Sequence, residues 1–150
     1  MRQIETFFVS LHNKTIKTMK IYTSYFANSK NLAKEGIMMI SIARYSPKWY
    51  YGLRYTVVAP TSYMLSSACS HEEYVRKYND ILSHFNAESI INAITTMSKG
   101  ADVALCCYEK PGEFCHRHLL AEWLNKNGYE VKEWEPAQKK VDAQQLTLFD

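Results

Sequence analysis

Long apolar runs are missing from this 150-residue sequence. No stretch approaches the roughly 20 apolar residues that cross a bilayer, so no membrane-spanning helix is expected. A lopsided charge is missing too, because 18 Lys and Arg stand against 15 Asp and Glu, leaving +3. Bulk charge therefore does not announce a nucleic-acid binder. Cysteine is scarce, with Cys69, Cys106, Cys107 and Cys115 making up the four. Adjacent Cys106 and Cys107 sit in an apolar run, unlike a secreted disulfide framework, so reduced thiols in a cytoplasmic protein are expected. Near the amino terminus, Arg2 is followed only by Phe7-Phe8-Val9, too short for the core of a signal peptide. Internal repeats are absent as well.

What is present is enough apolar and aromatic material for a packed core, 47% and 13% of the residues respectively. Residues 1–18 have weak periodicity and read as an N-terminal extension, either upstream of a start at Met19 or as a short element packed on the domain. From Lys20 the chain alternates strands and helices. Lys20–Tyr25 reads as a first strand, and Asn28–Leu32 as a turn into a short helix that Gly36 ends. Ile37–Ala43 is a nearly unbroken apolar run, as in a strand buried on both faces of a parallel sheet. Tyr55–Ala59 reads as a third strand stopped by Pro60. Ser70 and Glu73 have the spacing of a capping box, predicting a helix over 71–85, and Asn86 caps a further helix ending near Gly100. Asp102–Cys107 is the strongest strand signal. A helix then begins near Cys115 or His116 and stops at Gly128, and Tyr129–Trp134 reads as a last strand. The pattern predicts an α/β fold: a single Rossmann-like three-layer domain over residues 19–135 with a mainly parallel sheet. Residues 136–150 are expected to form a flexible polar tail.

Ligands of open α/β sheets bind beyond the carboxyl ends of strands, where the segment Tyr108–Arg117 lies. His116 and Arg117 fall in the first turn of the following helix. There their charge opposes the dipole, so stability alone does not call for them. With Lys110 they suit an anion cradle for phosphate or carboxylate. Ser41 and Arg44 end the other buried strand, and Lys48 and Trp49 follow on a loop that could cover the same crevice. The alternative for Trp49 and its neighbours Tyr50 and Tyr51 is ordinary loop packing.

Three chemistries fit these residues. Cys107 or Cys115 could serve as a nucleophile activated by His116 and the helix dipole, Cys115 better than Cys107. A phosphatase loop is not supported, because it places Arg six residues after Cys and Cys107 precedes Arg117 by ten. Glu109 or Glu113 with His116 could perform general acid–base work, with a salt bridge from Glu109 to Arg44 or Arg117 as the structural alternative. Cys107, Cys115, His116 and His118 could ligate a metal, but their spacing matches no paired short-gap zinc pattern, so no metal ligand is assigned. No cofactor is named by the sequence.

The string Cys107-Tyr108-Glu109-Lys110-Pro111-Gly112-Glu113-Phe114-Cys115-His116-Arg117-His118 resembles the signature of the DUF488 family of small α/β proteins. Lys20–Phe26 is similar to that family's opening strand, Ile40–Arg44 with Pro47–Tyr50 to its second block, and Leu53–Pro60 fits as well. The resemblance spans roughly Met19 to Trp134. It implies the α/β fold and the meeting of both blocks in one pocket, and makes Met19 the usual starting point. It implies no reaction.

The last residues carry a separate signal. Gln145-Leu146-Thr147-Leu148-Phe149 resembles the Gln-Leu-x-Leu-Phe pentapeptide by which many bacterial replication and repair proteins dock on the DNA polymerase sliding clamp. Leu146, Leu148 and Phe149 would enter an apolar groove while Gln145 makes polar contacts, the alternative being that Leu148 and Phe149 fold back on the domain. The leading expectation is a nucleotide- or nucleic-acid-directed protein recruited to DNA by the clamp. The alternatives are a non-enzymatic nucleotide-sensing or adaptor module and a small metal-binding structural protein.

Overall fold

The computed structural model describes residues 18–109 and 114–136. The tail motif, Lys110, Glu113 and residues 1–17 of the expected extension lie outside them. Five strands form one parallel sheet: β1 Ile21–Tyr25, β2 Met38–Ser41, β3 Leu53–Arg54, β4 Val103–Cys107 and β5 Val131–Glu133, in the order β3-β2-β4-β1-β5. Among the described residues four α-helices accompany them: α1 Ser29–Lys34, α2 His71–Ser83, α3 Ala87–Ser98 and α4 His116–Lys126. Strand β4 enters the sheet between β1 and β2, and all five of its residues are buried. That is what an uninterrupted Val-Ala-Leu-Cys-Cys run requires, because a strand covered on both faces has no place for alternating polar residues.

Alternation along β4 divides the interior in two. Val103 and Leu105 join Ile21, Ile40 and Ile42 in the larger core, against Tyr78 and Leu82 of α2, Ile90 and Ile94 of α3, and Leu120 and Leu124 of α4. Ala104 and Cys106 point the other way, into a smaller core with Leu32 of α1, Phe26, Tyr50 and Trp134. Helices thus cover both faces, giving the expected three layers. No helix among the described residues is long and apolar enough to cross a membrane.

Most elements fall where the pattern places them, with ends a residue or two shorter. The third strand is the exception. Only Leu53–Arg54 pairs with β2, and Thr56–Val58 closes a 3-10 turn. After Tyr55 N–H donates to Ser41 O at 2.8 Å the chain turns away, burying Val58 while the carbonyls of Ala59 and Pro60 accept from Arg44 instead of from a strand.

Both predicted N-caps form. Ser70 Oγ accepts from Glu73 N at 3.1 Å and Asn86 Oδ1 from Ser89 N at 3.1 Å. The reciprocal half of the capping box is replaced, since the Glu73 carboxylate accepts from the Tyr63 hydroxyl at 2.7 Å. Helix α3 ends with Lys99 at φ 55° and Gly100 at φ 82°, the left-handed close that glycine permits. Removing the Ser70 hydroxyl leaves an amide of the first turn without its partner. Ser70→Ala should therefore cost about 1 kcal/mol in urea-induced unfolding, and an unchanged midpoint would show that the cap contributes nothing.

Candidate functional site

Strands β2 and β4 run side by side and end together, with Ser41 opposite Cys106. Beyond their carboxyl ends the chain opens a cavity of about 380 Å³. Its walls come from four directions: Ala43–Tyr45 after β2, Met64 and Leu65 from the segment before α2, His71 and Tyr74 at the start of α2, and Cys107–Glu109 with Phe114–His116 around the β4–α4 turn. Tyr45, Tyr74, Tyr108 and Phe114 give the lining four aromatic rings. Phe114 meets the His71 ring at 4.2 Å and the Tyr74 ring at 5.0 Å, both edge to face. Arg44 and Glu109 supply charge of both signs.

Arg44 is aimed by the backbone, donating from Nε to Pro60 O at 2.8 Å and from Nη2 to Ala59 O at 3.4 Å. Burial raises the Tyr74 phenol well above its ordinary range, and the Glu109 carboxylate adds to the effect, so Tyr74 is a neutral wall at physiological pH.

Arg117 takes a different place from the one its sequence position suggests. It is 0% exposed and absent from the cavity wall. Its Nε and Nη2 donate to both oxygens of Glu133, at 3.0 and 3.1 Å, and its Nη1 donates to Cys107 Sγ at 3.0 Å and to the Glu109 carbonyl. The guanidinium also faces the Tyr25 ring at 5.8 Å, and Glu133 accepts a further bond from Thr23 Oγ1 at 2.7 Å. The cation at the helix start is thus neutralised from β5. Glu133 sits in a short final strand, sixteen residues on, and no local pattern in the sequence singles it out.

Ser41 is buried and bonded to Ser46 Oγ at 2.7 Å. It has the opposite parity from Ile40 and Ile42, which face the larger core, and it is absent from the cavity wall. Lys48 and Trp49 are exposed and do not line the cavity. Trp49 packs edge-on against Phe26, whose ring touches Tyr108 on the cavity wall at 5.1 Å. Of the proposed site residues that are described, the fold therefore brings Arg44, Glu109, Cys115 and His116 to one cavity. Cys107, the weaker of the two candidate nucleophiles, joins them, and the fold adds His71, Tyr74 and Phe114. His71 and Tyr74 read in the sequence only as parts of a capped amphipathic helix, and nothing in that pattern tells that its first turn borders a site.

His116 is buried, and its Nε2 meets Ile42 O at 2.8 Å. A carbonyl only accepts, so Nε2 carries the proton. Burial holds the ring neutral, bringing its pKa down to about 4, and Nδ1 then presents a lone pair 3.7 Å from Cys115 Sγ. Cys107 and Cys115 are joined as a disulfide, which corrects the expectation of reduced thiols throughout. The strand's last residue is thereby joined to the residue that caps α4. Cys69 and Cys106 are free. Burial pushes Cys106 up to about 12 and its thiol points to Ala104 O, a small inert core residue. His118 is exposed and stays outside the cluster.

Glu133→Ala would strand a fully buried guanidinium. Because Glu133 is itself 26% exposed, the expected loss is about 3 kcal/mol, at the low end for a buried pair. A loss below about 1 kcal/mol in chemical unfolding would show that water compensates Arg117.

The family model DUF488-N3a, described as the active DUF488-N3 subclade, matches residues 17–128. The chain belongs to the DUF488 family. No curated protein and no solved structure matches it.

Proposed function

We propose, with membership of the DUF488 family as the premise, that the cavity binds a nucleotide-class ligand, free or within a nucleic acid. The observation that carries this reading is the lining itself. Tyr74, Tyr108 and Phe114 offer ring surface for a planar base, while Arg44 stands in the same wall to meet a phosphate. The position beyond the carboxyl ends of two adjacent parallel strands is where α/β folds hold such ligands. Arg117 organises this wall from behind and does not contact the ligand, so the anion falls to Arg44, with Lys110, which lies outside the described residues, retained from the sequence as its partner. Glu109 is the proton-transfer group of this reading, which makes the protein an enzyme; the family description as an active subclade is in keeping with that.

Calorimetry with ribonucleotides and short single-stranded DNA tests the pocket. Arg44→Ala should weaken binding at least tenfold, about 1.4 kcal/mol, with the thermal midpoint little changed. Failure of every nucleotide to bind the unmodified chain would sink the reading. Glu109→Gln should keep the affinity and abolish turnover, and binding without any turnover in the unmodified chain would favour a sensing or adaptor module.

Recruitment to DNA through Gln145, Leu146, Leu148 and Phe149 is the second element of the proposal. It rests on the match of these residues to the clamp-docking pentapeptide and on the chemistry of three large apolar side chains in a polar segment. Deleting residues 145–150 should remove binding to a bacterial sliding clamp in fluorescence polarisation without lowering the thermal midpoint. Retained binding would remove the clamp from the account.

A further inference from the structure

The fold gathers three soft or borderline ligands from the end of one element and the start of the next. Cys107 closes β4, while Cys115 and His116 open α4, and their ligand atoms all lie within 4.8 Å of one another, with all three residues buried. We propose that Cys107, Cys115 and His116 form, once the two sulfurs are reduced, a site for a divalent cation of the zinc type, with its remaining coordination position open to the cavity.

Four observations meet here. The separation of 3.7 Å between Cys115 Sγ and His116 Nδ1 is close to the roughly 3.6 Å that sulfur and nitrogen take on one tetrahedral zinc ion. The backbone sets Cys107 and Cys115 with Cα atoms 7.3 Å apart, wider than the roughly 4.4–6.8 Å usual for disulfides and suited to two sulfurs with an ion between them. The outer shell is already built. His116 Nε2 donates to Ile42 O, which turns Nδ1 toward the sulfurs, and Arg117 Nη1 donates to Cys107 Sγ, which stabilises a thiolate. All three residues also border the cavity, so three protein ligands leave one position facing it, the arrangement of catalytic rather than structural zinc. Two thiolates and an imidazole suit zinc better than magnesium or calcium.

The chemistry balances simply. A dithiol reductant breaks the Cys107–Cys115 bond and becomes a cyclic disulfide, leaving two thiols on the protein. The cation then displaces two protons to solvent as the thiolates bind it. Disulfide and metal site are thus alternative states of the same two sulfurs.

Cobalt(II) tests this on the full chain after reduction and removal of excess reductant. One cobalt per chain should bind, with a thiolate-to-metal charge-transfer band in the near ultraviolet and intense visible bands of tetrahedral cobalt, both bleached by zinc. The oxidised chain should show neither. Cys107→Ser and Cys115→Ser should lose the charge-transfer band in whole or part, His116→Ala should weaken binding at least tenfold, and Cys69→Ser should behave as the unmodified chain. Should the serine variants fail to fold, alkylation of the unmodified chain decides. Zinc should protect Cys107 and Cys115 from iodoacetamide while Cys69 reacts. No cobalt uptake by the reduced chain, uptake without thiolate bands, or equal alkylation with and without zinc would each overturn the site. The bands and the alkylation report the thiolates alone, so they are independent of whether a nucleotide binds.

Discussion

A buried guanidinium holds this site together. Arg117 projects from the first turn of α4, where a cation is unfavourable, into an interior from which water is excluded. Such a charge is tolerated only when its hydrogen bonds are satisfied and its charge is met. Glu133 meets it in bidentate fashion from β5, Cys107 and the Glu109 carbonyl accept from the end of β4, and the Tyr25 ring faces it from β1. Among the described residues no buried side-chain nitrogen or oxygen lacks a partner. One side chain thus ties a helix start to the carboxyl ends of three strands. The pair is better understood as fixing an arrangement than as a source of stability, because the desolvation of both ions consumes most of their attraction.

That constraint explains why the fold was legible in the sequence and the site only partly so. Strand β4 is apolar at every position, and α2 and α3 carry their caps and inward-facing residues at helical spacing. These signals are local, and local physics decides them. The cation at the start of α4 was also visible, and reading it as out of place was sound. Its partner was not visible, because Glu133 lies in a three-residue strand that sits beside β1 only after the sheet has assembled. An anion cradle and a buried ion pair look alike from the helix alone. Ser41 illustrates a second limit. It ends a strand next to the site, yet its hydroxyl is buried and bonded to Ser46, a partner that only the folded loop after β2 supplies.

The thiol cluster marks the same boundary. Spacing rules for metal ligands describe motifs in which one tight turn carries two ligands. Here one ligand ends a strand and two begin a helix, so their proximity is a product of the strand-to-helix turn and not of a short gap. The third strand failed for a related reason. Its residues have strand character, but Thr56–Val58 closes into a 3-10 turn and the carbonyls of Ala59 and Pro60 accept from Arg44, a long-range partner that no local pattern announces.

The two arginines therefore divide the work that the sequence assigned to one anion site. Arg44 is held by backbone carbonyls at the cavity wall, where no carboxylate among the described residues pairs with it and its charge is left to act on a ligand. Arg117 is matched by a carboxylate and acts on the protein, above all on Cys107, whose sulfur receives one of its N–H groups. Once the Cys107–Cys115 bond is reduced, as the proposed metal site requires, a cation beside that sulfur would favour thiolate over thiol. The same buried pair that joins the start of α4 to the ends of β4 and β5 also stands beside the sulfur that ends β4, so the structural and the chemical roles of Arg117 are one electrostatic fact.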